Sequence, residues 1–147
     1  MLIPSSVKTI PNNIFEGCPN LKEVTINPYR TKFDPKVFTG CSLINHLIFE
    51  STVNSIKLFD FTRFGKLTKI TIPSTVNSIG SNSFKGLKTL KEVTIALSVT
   101  SIEEGSFYGC SSLERISIPE KVTSIGKSAF YGCSSLKQIT VPSLVVS

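Results

Sequence analysis

The stretch LERISIPEKVTSIGKSAFYGC, residues 113–133, contains the pattern that decides the fold. Its apolar residues recur along the chain at intervals of 23 positions, without an insertion or a deletion. The clearest column is one of phenylalanines: Phe15, Phe38, Phe61, Phe84, Phe107 and Phe130. Columns of Leu, Ile and Val keep the same spacing. A fixed internal period of this length is the signature of a repeat protein.

Each repeat contains two segments with the character of short strands. The segment L-x-x-V-x-I, as at residues 21–26, ends in β-branched residues that alternate with polar ones. A proline then introduces V-x-x-I, which is a second extended stretch or a turn. One repeat cannot bury its apolar residues alone, whereas stacked repeats turn each column into a continuous core. We therefore predict a solenoid.

The predicted solenoid is one domain over residues 1–147, with six repeats at 3–140 and a partial seventh at 141–147. We expect a parallel β-sheet on one face, irregular chain or short 3₁₀ turns elsewhere, and little or no α-helix. A column of glycines marks a bend that needs a permissive backbone. Its members are Gly17, Gly40, Gly86, Gly109 and Gly132.

The repeat resembles the BspA-type class of leucine-rich repeats, from Ile3 to Val141. The best matches to the motif [AS]-F-x-G-C are at Ser83-Phe84, Ser106-Phe107 and Ala129-Phe130-Tyr131-Gly132-Cys133. The resemblance implies a leucine-rich-repeat solenoid that serves as an interaction module. Many members of that class are bacterial and protist surface adhesins that bind host extracellular proteins, and others are short chains without a signal sequence.

Composition restricts the location and the kind of partner. Hydrophobic residues make up 40% and charged residues 18% of the chain, which indicates a folded domain. No apolar run approaches the ~18 residues of a membrane span, so we expect no membrane insertion. The amino terminus lacks the pattern of a signal peptide. We expect a cytoplasmic protein, although the resemblance leaves association with a cell surface open.

The net charge is +6, and the basic residues are most concentrated between Lys57 and Lys91. Such a field attracts an acidic partner, or it keeps the chain soluble. Nucleic-acid binding is not expected, because the nearby Phe61 and Phe84 belong to core columns and are unavailable for stacking on bases.

The four cysteines, Cys18, Cys41, Cys110 and Cys133, share one column with Phe64 and Leu87. A position that accepts Phe and Leu is a core position, so we predict buried free thiols, which also fit a reducing compartment. Disulfides between adjacent repeats remain an alternative. Zinc sites need ligands spaced more closely than these, so we predict no metal and no cofactor.

His46 is the only histidine. A histidine that acts as a general base needs a carboxylate and a nucleophile nearby. Glu23 and Thr25, in the adjacent repeat, could approach it. These residues are ordinary for a strand, and we predict that the chain is not an enzyme.

The outward face of the sheet, on the concave side, is the predicted protein-binding surface. The alternative is that Thr is there because it favours strands. The predicted surface consists of Glu23, Thr25, His46, Ile48, Lys69, Thr71, Glu92, Thr94, Arg115, Ser117, Gln138 and Thr140.

The ends and the irregular repeats give two further candidate surfaces. Solenoids usually need polar caps, so we expect a second copy to cover the amino-terminal end in a homodimer. The residues predicted for that contact are Leu2, Ile3, Val7 and Ile10. The second and third repeats depart from the pattern through either sequence drift or a partner patch. The candidates for that patch are Tyr29, Arg30, Phe59 and Arg63.

The sequence therefore predicts a non-enzymatic scaffold that binds a protein partner and associates with itself. The alternatives are a surface adhesion module that binds extracellular matrix protein, and an intracellular regulator or inhibitor of a signalling enzyme.

Overall fold

A computed structural model of the protein describes residues 1–4, 6–33, 37–38, 43–57, 61 and 66–146. Within these ranges the chain forms eleven β-strands and no α-helix. All the strand pairs are parallel, and each pairs a residue with the one 23 positions away, for example Glu23 with His46 and Lys69 with Glu92. The predicted solenoid is confirmed, because only coils stacked in register give such pairing.

The first sheet is built from the L-x-x-V-x-I segments and has the order β10-β8-β6-β4-β2. Its strands are β2 (Glu23–Ile26), β4 (His46–Phe49), β6 (Lys69–Thr71), β8 (Glu92–Thr94) and β10 (Arg115–Ile116). Residues 1–3 extend it beyond β2, because the Ile3 amide donates to Thr25 O and the Thr25 amide donates to Met1 O. This sheet is the parallel sheet that the sequence predicts.

A second set of parallel pairs comes from the V-x-x-I segments, which the sequence left as extended chain or turn. Each strand has two residues: β1 (Thr9–Ile10), β3 (Lys32–Phe33), β5 (Ser55–Ile56), β7 (Ser78–Ile79), β9 (Ser101–Ile102) and β11 (Ser124–Ile125). β5, β7, β9 and β11 form one sheet, and β1 and β3 form a separate pair. The isoleucines of β5, β7 and β9 point inwards and are buried, while the serines are half-buried.

The core lies between the two sets of strands and is lined by the predicted columns. Phe84 and Phe107 are fully buried, and their ring centroids are 5.3 Å apart. Phe61 and Phe130 continue the stack at 5.2 and 5.4 Å. Two buried hydroxyls in the preceding turn are also satisfied, since Ser83 donates to Gly80 O and Ser106 donates to Glu103 O, each at 2.6 Å.

The turns contain two columns of left-handed residues. Gly17, Gly86, Gly109 and Gly132 have φ between 70° and 79°, which confirms the predicted bend at these four positions, while Gly40 lies outside the described residues. The second column was not predicted: Asn13, Asn82, Gly105 and Ser128 have φ between 55° and 61°. Asn tolerates this conformation better than most side chains, and the changing residue type hides the column in the sequence.

Candidate functional site

The outward face of the first sheet contains a groove of about 1010 Å³. Six of the twelve predicted binding residues line it: Glu92, Thr94, Arg115, Ser117, Gln138 and Thr140. Glu114, Glu120 and Lys137 also line it, next to Val93 and the isoleucines at 95, 116 and 118. The groove therefore covers β8, β10 and the segment 137–140. The other six predicted residues lie outside it, over β2, β4 and β6.

Outside the groove, side-chain hydrogen bonds centred on His46 join the strands β2, β4 and β6. Glu23 Oε1 lies 2.9 Å from His46 Nδ1, and Thr71 Oγ1 lies 2.8 Å from His46 Nε2. The hydrogen bond with His46 lowers the pKa of the Glu23 carboxyl below its usual value. The structure thus brings Thr71, rather than Thr25, to the second ring nitrogen.

The order of Glu23, His46 and Thr71 matches the acid, base and hydroxyl of a hydrolytic triad. Such a site also needs hydrogen-bond donors that stabilise an oxyanion, commonly the amide next to the nucleophile. Here the amide of Ile72, which follows Thr71, donates to Thr94 O at 2.9 Å as part of the sheet. The arrangement therefore fixes the histidine ring on the sheet, and the amide that follows Thr71 is already engaged.

Alternating charges form ion pairs across the strands that lead into the groove. Glu92 contacts Lys69 Nζ at 3.2 Å and Arg115 Nη2 at 3.0 Å. Its hydrogen bonds with Lys69 and then Arg115 lower the pKa of the Glu92 carboxyl. A second ion pair lies beside this one, with Lys91 Nζ 3.5 Å from Glu114 Oε1. Between the charges, Thr94, Ser117 and Thr140 present exposed side chains, so hydroxyl groups lie between the charged rows.

Two members of the cysteine column, Cys110 and Cys133, are buried. The Cys110 thiol donates to Phe84 O at 3.1 Å and the Cys133 thiol to Phe107 O at 3.2 Å, and both thiols are free. Burial raises the pKa of Cys110 to about 12 and also raises the pKa of Cys133. The prediction is wrong for Cys18, which is exposed, because the first coil has a neighbouring coil on one side only in this structure. Cys41 lies outside the described residues.

No group of three or more His, Cys, Asp or Glu side chains in the described part of the chain could hold a metal ion. In the same ranges, no helix is long and apolar enough to cross a membrane.

The residues predicted for self-association are only partly accessible. Leu2 is 59% exposed and Val7 is half-buried, but Ile3 and Ile10 are buried within the chain itself. They are covered because both side chains belong to the apolar core of the chain. The apolar surface at this end instead includes Ile14, which is 53% exposed.

The irregular repeats are stabilised by internal contacts. The Tyr29 hydroxyl accepts from the Lys57 amide at 2.7 Å and donates to Lys57 O at 3.0 Å, and burial raises the pKa of Tyr29 to about 12. The buried Asn27, in place of a proline, donates to Thr52 Oγ1. Arg30 is exposed. These contacts make Tyr29 a packing residue. Phe59 and Arg63, the other candidates for this patch, lie outside the described residues.

One exposed feature was missed by the sequence reasoning. Tyr108 and Tyr131 stack on the turn side with ring centroids 5.0 Å apart, and Lys85 Nζ lies 5.1 Å from the Tyr108 ring centroid. The available signal was the pair of F-Y-G-C sequences 23 residues apart. Glu120, at the rim of the groove, was also missed.

Comparison with known proteins gives a consistent result. The sequence model described as BspA type leucine rich repeat region matches six copies, over residues 1–64 and 59–147. No curated protein matches the chain.

Several solved structures have the same fold. A leucine-rich repeat protein from Bacteroides ovatus is 26% identical with a TM-score of 0.66, over 98% of this chain and 37% of that one. A leucine rich cell surface protein from Faecalibacterium prausnitzii is 34% identical with a TM-score of 0.56, over 95% and 38%. A leucine-rich repeat protein from T. pallidum is 22% identical with a TM-score of 0.67, over 97% and 70%. The chain thus spans less than two fifths of the first two.

Proposed function

The chain belongs to the BspA-type leucine-rich repeat family, and on that premise we propose that it is a non-enzymatic scaffold that binds a protein partner through the groove on the first sheet. The observation that carries the proposal is the groove itself, because half of the predicted outward-face residues line it. The charged side chains of the groove and the hydroxyl groups between them favour a partner of complementary charge.

The absence of catalysis is part of this proposal. The engaged amide of Ile72 supports it, since the cluster of Glu23, His46 and Thr71 then lacks the oxyanion donor that lies next to its hydroxyl in sequence. A direct test is the hydrolysis of p-nitrophenyl acetate. We expect the wild-type protein and a His46→Ala variant to have equal rates, and a rate that falls with the substitution would overturn this part of the proposal.

The binding proposal is tested with a photoreactive benzoylphenylalanine at Ser117, in the groove, and a control with the same residue at Lys88, on an exposed turn. Proteins captured at Ser117 and not at Lys88 are purified and their affinity is measured directly. We expect Arg115→Glu to weaken that affinity by about tenfold or more and Thr123→Glu, outside the groove, to leave it unchanged. Equal effects of the two substitutions would refute a groove site.

Self-association through the amino-terminal end is a second part of the proposal. It is supported by the exposed apolar side chains of Leu2 and Ile14, and it is narrower than the sequence suggested, since Ile3 and Ile10 are buried. Light scattering during size exclusion should give a mass near twice 16.0 kDa, and a Leu2→Asp, Ile14→Asp variant should give 16.0 kDa. A wild-type monomer at high micromolar concentration would contradict it.

Adhesion at a cell surface is the second candidate function. It is favoured by the similarity, at 34% identity, to a protein that is itself named a leucine rich cell surface protein. The comparisons give no support to the cytoplasmic location expected from the sequence, and no structural feature favours the regulator of a signalling enzyme. Labelling of intact cells with an antibody to the chain tests the location: surface labelling supports adhesion, and labelling only after permeabilisation contradicts it.

A further inference from the structure

The hydrogen bonds that join the strands of the first sheet stop at β10. In four successive repeats, two amides at the start of the strand donate to one carbonyl of the preceding repeat. The last two of these carbonyls are Thr68 O, which accepts from Lys91 and Glu92, and Lys91 O, which accepts from Glu114 and Arg115. By the same register, Lys137 and Gln138 should donate to Glu114 O. No backbone hydrogen bond joins 137–141 to 114–118, all of which are described residues.

The segment 137–141 leaves the sheet although the chain on both sides of it stays in register. The Ser135 amide donates to Ser111 O at 3.1 Å, and the Val146 amide donates to Thr123 O at 3.0 Å. Val141 is 55% exposed, whereas Ile95 and Ile118 in the same column are buried. The free edge of β10 thus faces a gap. In a parallel sheet alternate residues bond to opposite neighbours, so the Ile116 amide and carbonyl point towards that gap.

The charges beside this edge specify what a better neighbour would present. Lys91 pairs with Glu114, and Glu92 pairs with Arg115. The next strand in the series would continue this alternation with a basic residue beside Glu114 and an acidic residue beside Arg115. The chain's own segment presents Lys137 at the first position and the uncharged Gln138 at the second. Its match to β10 is therefore incomplete at the position beside Arg115.

We propose that β10 accepts an extended segment of the partner protein as an additional parallel strand. The segment has the order basic, acidic, apolar, small hydroxyl, apolar. Its acidic residue pairs with Arg115, and its apolar residues cover Ile116 and Ile118. Strand addition supplies affinity through main-chain hydrogen bonds and specificity through alternate side chains. This inference rests on the proposed binding function, to which it adds the mode of binding and the chemistry of the partner.

The probe is a fluorescent peptide that contains Lys-Glu-Val-Thr-Ile-Ala, the sequence of residues 91–96, between soluble flanks. Fluorescence anisotropy should show saturable binding to the full chain. Replacing the peptide glutamate by lysine should weaken binding about tenfold. Arg115→Glu should weaken binding of the original peptide and restore binding of the lysine peptide. Lys85→Glu, on the turn side, is the control and should change nothing.

Main-chain pairing is tested by a peptide with N-methyl groups on its Glu and Thr residues, whose amides would donate to Glu114 O and Ile116 O. Loss of binding by the methylated peptide supports strand addition. Undiminished binding overturns it, and so does failure of the unmethylated peptide to bind at all. In either case the proposed function is judged separately, since the partner captured at Ser117 either loses affinity with Arg115→Glu or does not.

Discussion

The phenylalanine column makes Phe84→Ala the most informative single substitution in the core. Phe84 is fully buried, with its ring centroid 5.2 Å from that of Phe61 and 5.3 Å from that of Phe107. Its neighbours belong to coils held in register by both sheets, so they cannot move in to fill the space. Truncation of such a side chain removes its transfer free energy and leaves a cavity, at a cost of about 3–5 kcal/mol.

Phe15→Ala is the matched control, because it removes the same atoms from the first coil. Phe15 is half-buried and stacks on Phe38 at 5.6 Å. Since part of its surface already contacts water, its truncation should cost about 1–2 kcal/mol. The two variants differ only in how completely the stack encloses the ring.

Urea unfolding followed by circular dichroism gives the comparison directly. With a slope of about 2 kcal/mol per M, Phe84→Ala should lower the midpoint by about 2 M and Phe15→Ala by less than about 1 M. Equal shifts, or a larger shift for Phe15→Ala, would refute the view that the stacked column is the centre of the core.

Three further predictions concern thiols, glycines and pH. Ellman's reagent should react with Cys18 in the folded protein and with Cys110 only after unfolding, because burial raises the pKa of Cys110 to about 12 and leaves little thiolate. Gly126→Ala should destabilise the protein by about 1–3 kcal/mol, since the added Cβ would clash with the backbone of Glu103 and Glu104 in the neighbouring coil. Gly86→Ala, with open space but φ of +76°, should cost about 1 kcal/mol; thermal unfolding ranks the two. The pKa of Tyr29 is raised from 10.0 to about 12 in the folded state, so its contribution to stability is complete below pH 10 and is lost as the pH rises to about 12. Tyr29→Phe should flatten the unfolding free energy across that window.

The sequence predicts those features that depend on the repeat itself. The 23-residue period defines the pairing register of the first sheet, the inward columns and the glycine bend. The two-residue strands such as β7 (Ser78–Ile79) are too short to show a strand periodicity, which is why the second sheet was expected only as extended chain or turn. Asn13 and Ser128 show no common residue type, so their shared left-handed backbone is visible only in the structure.

Features that depend on position within the stack could not be predicted from the repeat. Cys18 and Cys110 have equivalent places in their repeats, but Cys110 is buried and Cys18 is exposed. The sequence of 136–141 is a good strand segment by pattern, and its departure from the sheet depends on how the last coil packs. Since that departure borders the groove, the repeat predicts an outward face for binding but does not show which part of that face is open.

The central claim is that a partner protein binds to the outward face over β8 and β10. Hydrogen–deuterium exchange of the full chain, with and without the protein captured through Ser117, tests it most directly. The claim predicts that the partner slows amide exchange at 114–118, where the β10 edge is unpaired, and has no effect at the turns around Lys85 and Tyr108. Protection confined to those turns, or to the second sheet, would contradict it.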